Sequence, residues 1–108
     1  MKAKTAPTYC VEVHIAGGYD AAVEACRAFC IKTPLCVSLT RQDFVYTQGA
    51  ESGVRVLVLN YPRFPSNPRA LRKTAARLGL HLMLALHQGS FRVVDPKKST
   101  WTTRRGDR

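Results

Sequence analysis

Val54-Arg55-Val56-Leu57-Val58-Leu59 holds five branched aliphatic residues and one charge. A run of this kind reads as a central strand, covered on its flanks by other strands. Upstream, Gln48-Gly49-Ala50-Glu51-Ser52-Gly53 has the composition of a hairpin loop. Before it, residues 35–47 form a long strand-like run, with Leu35, Val37 and Leu39 on one face and Cys36, Ser38 and Thr40 on the other. Arg41-Gln42-Asp43 breaks that alternation, and a bulge is expected there. Downstream, Tyr61-Pro62-Arg63-Phe64-Pro65-Ser66-Asn67-Pro68 is a proline-pinned loop. Asn67 as N-cap and Pro68 at the first helical position start a helix that runs to about His87, with Gly89 closing it. Its core stripe is Leu71, Ala75, Leu78, Leu82 and Leu86.

Working outward to the ends, residues 9–15 alternate as a strand, with Tyr9, Val11, Val13 and Ile15 on one face. Gly17-Gly18 ends it, and Asp20 is the expected N-cap of a helix over residues 21–31, whose apolar face carries Ala22, Cys26 and Phe29. Pro34 stops that helix. Residues 90–94 read as a further strand, Asp95-Pro96-Lys97-Lys98 as a type I turn, and residues 99–104 as a short returning strand that carries Trp101. The order is β-α-β-β-α-β with an extra C-terminal edge strand. This topology resembles the ferredoxin-like fold, an α+β sandwich in which two helices cover one face of an antiparallel sheet. The resemblance spans residues 9–94 and concerns topology only. The fold serves many functions, so it licenses no activity by itself.

The 108 residues are expected to form a single domain (1–108), with an ordered core over about 9–104 and frayed ends at 1–7 and 105–108. A hydrophobic fraction of 45% excludes a disordered chain. The basic start Met1-Lys2-Ala3-Lys4 is followed by no apolar segment of the secretory type, and residues 78–86 are too few to span a bilayer. The reading is a cytoplasmic protein. Cys10, Cys26, Cys30 and Cys36 are expected as four free thiols: no C-x-x-C occurs, and no metal or cofactor is expected.

Charge is the strongest functional signal. Residues 1–54 hold five basic and five acidic residues, whereas residues 55–108 hold twelve basic and two acidic ones, so the net charge of +10 belongs to the second half. An anionic partner would meet that half first. Arg69, Arg72, Lys73 and Arg77 recur at helical spacing on a helix without Asp or Glu, a candidate polyanion stripe. Lys97, Lys98, Trp101, Arg104 and Arg105 interleave cations with one aromatic, although a lone Trp in a small domain more often packs into the core. Arg63 sits between Tyr61 and Phe64 in the pinned loop, where the aromatics are equally suited to stapling the helix start.

The open sheet face is the remaining candidate. Glu12, His14, Arg55, Leu57, Leu59 and Tyr61 fall on it, as an interface or a ligand site. The stacking aromatics of an RNA-recognition module are missing from the two central strands. Leu80, His81, Met83 and Leu84 lie off the core stripe of the second helix, which implies a homodimer or larger oligomer. His14 near Glu12, Cys36 and Ser38 offers a base beside a nucleophile, but no motif orients them. Sequence reasoning therefore favours a non-catalytic binding protein for a phosphate-bearing partner, nucleic acid first. Its rivals are a nucleotide or cyclic-oligonucleotide pocket, a protein-interaction module of the kind found among phage accessory proteins, and an enzyme centred on His14.

Overall fold

In a computed structural model the chain forms one five-stranded sheet with two helices on one face, and residues 1–105 are described. The elements are β1 (Cys10–Ala16), α1 (Tyr19–Lys32), β2 (Val37–Tyr46), β3 (Gly49–Leu59), α2 (Pro68–Ala85), β4 (Ser90–Val94) and β5 (Ser99–Thr103). The sheet order is β2-β3-β1-β4-β5, antiparallel at every step. This is the expected ferredoxin-like sandwich with its extra edge strand.

The register of the central pair explains the layering. Val11, Val13 and Ile15 of β1 lie opposite Val58, Val56 and Val54 of β3. All six are fully buried under the helices. Leu71, Ala75, Leu78 and Leu82 of α2 and Ala22, Ala25, Cys26 and Phe29 of α1 close over them. β-branched residues suit this surface because their restricted χ1 loses little on packing against a pleated sheet. Burial of each large side chain contributes roughly 1.5–3 kcal/mol. Asn60, just past β3, is the one buried polar residue among those described. Its Nδ2 donates to the Pro7 carbonyl (2.9 Å) and its Oδ1 accepts from the Ser66 amide (2.7 Å), so it ties the N-terminal segment to the loop before α2.

Several local expectations are corrected. No bulge occurs at Arg41-Gln42-Asp43: these pair in unbroken register with Val54, Gly53 and Ser52. The hairpin turn is only Thr47 and Gln48, so Gly49 to Gly53 belong to β3 and the hairpin forms an arm reaching beyond the end of β1. Gly18, not Asp20, is the N-cap of α1, and Asp20 sits in the first turn, where its charge complements the helix dipole. At the end of α2, Leu86 is the C-cap and His87 takes the left-handed conformation (φ 55°) assigned by sequence to a glycine at 89. Asn67 caps α2 as expected, accepting from the Ala70 amide at 2.8 Å, and Pro68 follows it. Arg105, expected to fray, donates from Nη2 to the Ser90 hydroxyl (2.8 Å); residues 106–108 lie outside the described part.

Off the core stripe, Met83 is buried and His81 Nε2 donates to the Ala25 carbonyl (2.9 Å), which joins α2 to α1. Only Leu80 and Leu84 of that group are exposed, at 46% and 60%. Two exposed leucines make a smaller apolar face than the four residues expected. Gly79 of α2 lies where a β-carbon would run into the buried Phe91 ring of β4. Gly79→Ala gains helix propensity but must displace that ring, and overpacking of this type costs about 1–3 kcal/mol. The variant is expected to melt several degrees lower in a thermal scan. An unchanged or raised melting temperature would show that Phe91 has room to move.

Candidate functional site

The open face is built by the residues of alternate parity. His14 of β1 has Arg55 as its Cα partner on β3 and Arg92 on β4, and Arg92 in turn faces Trp101 on β5. Thr40 of β2 completes the row opposite Arg55. Two residues further toward the end of β1, the partners are Ala16 and Gly53. Neither has a side chain of any size, so the sheet is hollow there. The hollow has walls because the β2–β3 arm continues past it: Phe44 and Glu51 face each other across the arm, with Tyr46 beyond.

The result is a pocket of about 450 Å³ lined by His14, Ala16, Phe44, Tyr46, Glu51, Ser90, Arg92, Trp101 and Arg105, among others. The rings of Phe44, Tyr46 and Trp101, one carboxylate and two guanidinium groups meet in it. Gly53 permits this arrangement, because a β-carbon there would strike the Phe44 ring and the β1 backbone. Gly17, at φ 133°, turns the chain out of β1 beside Leu86 in a conformation closed to other residues, and its amide donates to the Ser52 carbonyl (3.1 Å).

A polar chain runs across the open face and meets the pocket at His14. His14 Nε2 donates to Glu12 Oε1 (2.8 Å), and Gln42 Nε2 donates to His14 Nδ1 (2.8 Å). The other Glu12 oxygen stands 3.7 Å from Arg55 Nη1. The His14 side chain is 11% exposed and that of Glu12 28%. Leu57 and Leu59 lie on this face as expected, opposite Glu12 and Cys10, but outside the pocket. Tyr61 leaves the face: it follows β3 in the loop and packs on Phe64, with ring centroids 6.1 Å apart.

Of the expected basic stripe, Arg69, Lys73 and Arg77 are exposed, the Arg77 guanidinium lying 5.5 Å over the Phe29 ring, and half-buried Arg72 donates to the Tyr9 hydroxyl (2.9 Å). Lys97 and Lys98 are exposed around a turn whose backbone amides are held by the Asp95 carboxylate. Those two bonds hold the Asp95 carboxyl below its ordinary value, the Lys97 amide contributing most. Arg104 caps the end of β5 through its amide to the Gly89 carbonyl. Arg63, 5.5 Å over the Phe64 ring, lines a separate open hollow with Lys2, Lys4 and Tyr61. That hollow gathers three cations and no acid, and only the N-terminal segment and one loop build it. Of the expected tail residues, only Trp101 and Arg105 enter the sheet-face pocket, and Trp101 is 48% exposed rather than buried. Phe44, Tyr46, Glu51 and Arg92 were missed.

Cys26, Cys30 and Cys36 line one cleft between α1 and β2. Among the described residues no group of three or more His, Cys, Asp or Glu gathers at metal-holding distance, and no helix is long and apolar enough to cross a membrane. Burial, followed by the Cys30 thiol beside it, pushes the Cys26 thiol up to about 12. Burial and the neighbouring Cys36 also push Cys30 up. An unfolded chain would ionise Cys26 from 9.0 upward, while the folded one keeps its proton until about 12. Its contribution to stability is therefore complete below 9.0 and declines as pH rises through that window. Cys26→Ala should flatten this alkaline limb in melting curves taken across the window. At neutral pH a thiol probe should modify exposed Cys36 first and Cys26 only on unfolding; early labelling of Cys26 would contradict its burial.

Neither a protein-family model nor a curated protein matches the sequence. Two solved structures share its fold from end to end. A phage SAM lyase in complex with S-methyl-5'-thioadenosine has a TM-score of 0.78 and 13% identity, over 100% of this chain and 98% of its own. A phage SAM lyase in the apo state has a TM-score of 0.72 and 11% identity, over 100% and 99%. These neighbours overturn the expectation of a non-catalytic nucleic-acid binder. Both of these neighbours are lyases, and the ligand held by one of them is a nucleoside thioether rather than a polynucleotide.

Proposed function

We propose that this protein binds an adenosyl sulfonium compound in the sheet-face pocket and splits it as a SAM lyase. The observation that carries the reading is the lining of that pocket: Phe44, Tyr46 and Trp101 beside Glu51, Arg92 and Arg105 in about 450 Å³. The volume lies within the roughly 300–1,000 Å³ of small-ligand sites. The end-to-end likeness to two SAM lyases gives the reading its reaction class. Aromatic faces suit adenine, whose stacking is worth about 1–3 kcal/mol per base. Arg92 and Arg105 suit the carboxylate of the amino-acid part, and Glu51 suits its ammonium group.

The chemistry needs little from the protein beyond holding. The bond between the sulfonium sulfur and the γ-carbon of the methionyl chain breaks, and its electron pair stays on sulfur. The neutral thioether S-methyl-5'-thioadenosine leaves. The four-carbon remainder balances by closing its own carboxylate onto the γ-carbon or by losing a proton. Charge disappears from sulfur in this step, so a pocket that strips water from the sulfonium favours it. Fixing the chain in a reactive geometry adds the advantage of an intramolecular arrangement.

Trp101 is the only tryptophan in the chain, so its fluorescence reports the pocket directly. Added S-methyl-5'-thioadenosine should quench it saturably, and incubation with SAM should yield that thioether in a mass-spectrometric assay. Trp101→Ala and Arg92→Ala, assayed by calorimetry, should each weaken binding about tenfold, equivalent to ~1.4 kcal/mol. Absence of both quenching and product at ligand concentrations up to about 1 mM would overturn the assignment.

A further inference from the structure

The polar chain that meets the pocket at His14 has a direction. Glu12 Oε1 is an acceptor, so the ring nitrogen facing it at 2.8 Å, Nε2 of His14, carries a proton. The amide nitrogen of Gln42, 2.8 Å from Nδ1, can only donate, so Nδ1 carries none. We infer that Gln42 is a positioning residue that holds His14 as the neutral Nε2–H tautomer, making His14 a proton-inert wall of the pocket rather than its base. Both ring nitrogens are used inside the sheet, and the ring offers the pocket carbon atoms only.

The neighbours of His14 give this arrangement a purpose. Arg55 on β3 and Arg92 on β4 flank it as cross-strand partners, Trp101 stands beyond Arg92 on β5, and Gln42 reaches it from β2. Glu12 is the carboxylate that bonds it, and Glu12 is shared with Arg55. A second proton on His14 would set a second cation beside Arg55 on that one carboxylate, on a ring that is 11% exposed and so poorly hydrated. A cationic sulfonium would then face another positive charge in the wall of its own pocket. Gln42 prevents this by placing a donor where the second proton would have to be. This part of the inference rests on the lyase reading; the tautomer itself does not.

Nitrogen-15 NMR of the histidine rings in the ligand-free protein at neutral pH tests the tautomer, with the His14 signals identified by their loss in His14→Gln. The wild type should show one protonated nitrogen, Nε2, and one bare nitrogen, Nδ1. Gln42→Leu should mix the two neutral tautomers, and Gln42→Glu, which offers Nδ1 an acceptor, should protonate both nitrogens. A doubly protonated or Nδ1–H ring in the wild type would overturn the inference, as would a Gln42→Leu spectrum that matches the wild type. Turnover of SAM tests the inert wall. Gln at position 14 still donates to Glu12 but has no basic nitrogen, so His14→Gln should raise KM and leave kcat within about threefold, whereas loss of a general base costs about 10²–10⁴. A fall in kcat of that size, in a folded variant that still binds S-methyl-5'-thioadenosine, would make His14 the base. A wild type with the Nε2–H tautomer that binds neither SAM nor the thioether would defeat the lyase reading and leave the role of Gln42 standing.

Discussion

The antiparallel pairing of β1 with β3 decides every later feature of this protein. With Val13 set opposite Val56, the odd-numbered residues of β1 and the even-numbered residues of β3 turn to the helices. Glu12, His14 and Arg55 are thereby committed to the other face. A slip of β1 by one residue would turn Val11, Val13 and Ile15 outward and bring Glu12 and His14 under the helices. That penalty ties the chemistry of the open face to the packing of the core. The open face therefore needs no separate device to hold its layout.

The pocket then arises from what is missing at one end of that pairing. β1 ends at Ala16, opposite Gly53, while the β2–β3 arm runs on for several residues. Small residues at the last pair leave a hollow, and the arm with Phe44, Tyr46 and Glu51 becomes its wall. On the other side, Gln88 to Arg92 and Trp101 close it, held by the bonds from Arg104 and Thr103 to the Gly89 carbonyl. The two glycines have different physical roles: Gly17 reaches a backbone conformation denied to others, and Gly53 vacates the space that the Phe44 ring occupies. The site thus draws its lining from all five strands and its depth from two side chains of little or no size.

The layering was legible because the apolar alternation in β1 and β3 is strong and the cap at Asn67-Pro68 is unambiguous. The pocket was not, for a local reason. Polar Arg41-Gln42-Asp43 looked like a bulge, and a bulge shifts parity, which detaches Gln42, Phe44 and Tyr46 from the face of Ser38 and Thr40. Unbroken register restores them to the face of His14. The signal that could have found them was the continued even-number spacing of Gln42, Phe44 and Tyr46, equal to that of Ser38 and Thr40. Arg92 was lost for a similar reason, since its importance lies in its cross-strand partner His14, which no local pattern records. Trp101 was weighed between a polyanion contact and a packed position by residue type, but an edge strand gives its open face no cover, and the ring stays half exposed.

The charge of +10 misdirected the functional reading, and the structure shows how. Fields of exposed charges fade over about 8–10 Å at physiological salt, so a site responds to its own lining and much less to the whole chain. The cations of the second half are dispersed: Arg72 is bonded to Tyr9, Arg77 is stacked on Phe29, Arg63 is turned to the loop, and Arg105 is bonded to Ser90. Of the acids of the first half, Glu12 bonds His14 on the open face, and Glu51 stands in the wall of the pocket. Glu51 set with Arg92 and Arg105 gives the cavity charges of both signs in a strongly basic protein. A lining of that kind suits a ligand that is itself both anionic and cationic, and a polyphosphate far less. On the lyase reading it also helps turnover, because the thioether that leaves has lost both the sulfonium charge and the amino-acid charges that held the substrate.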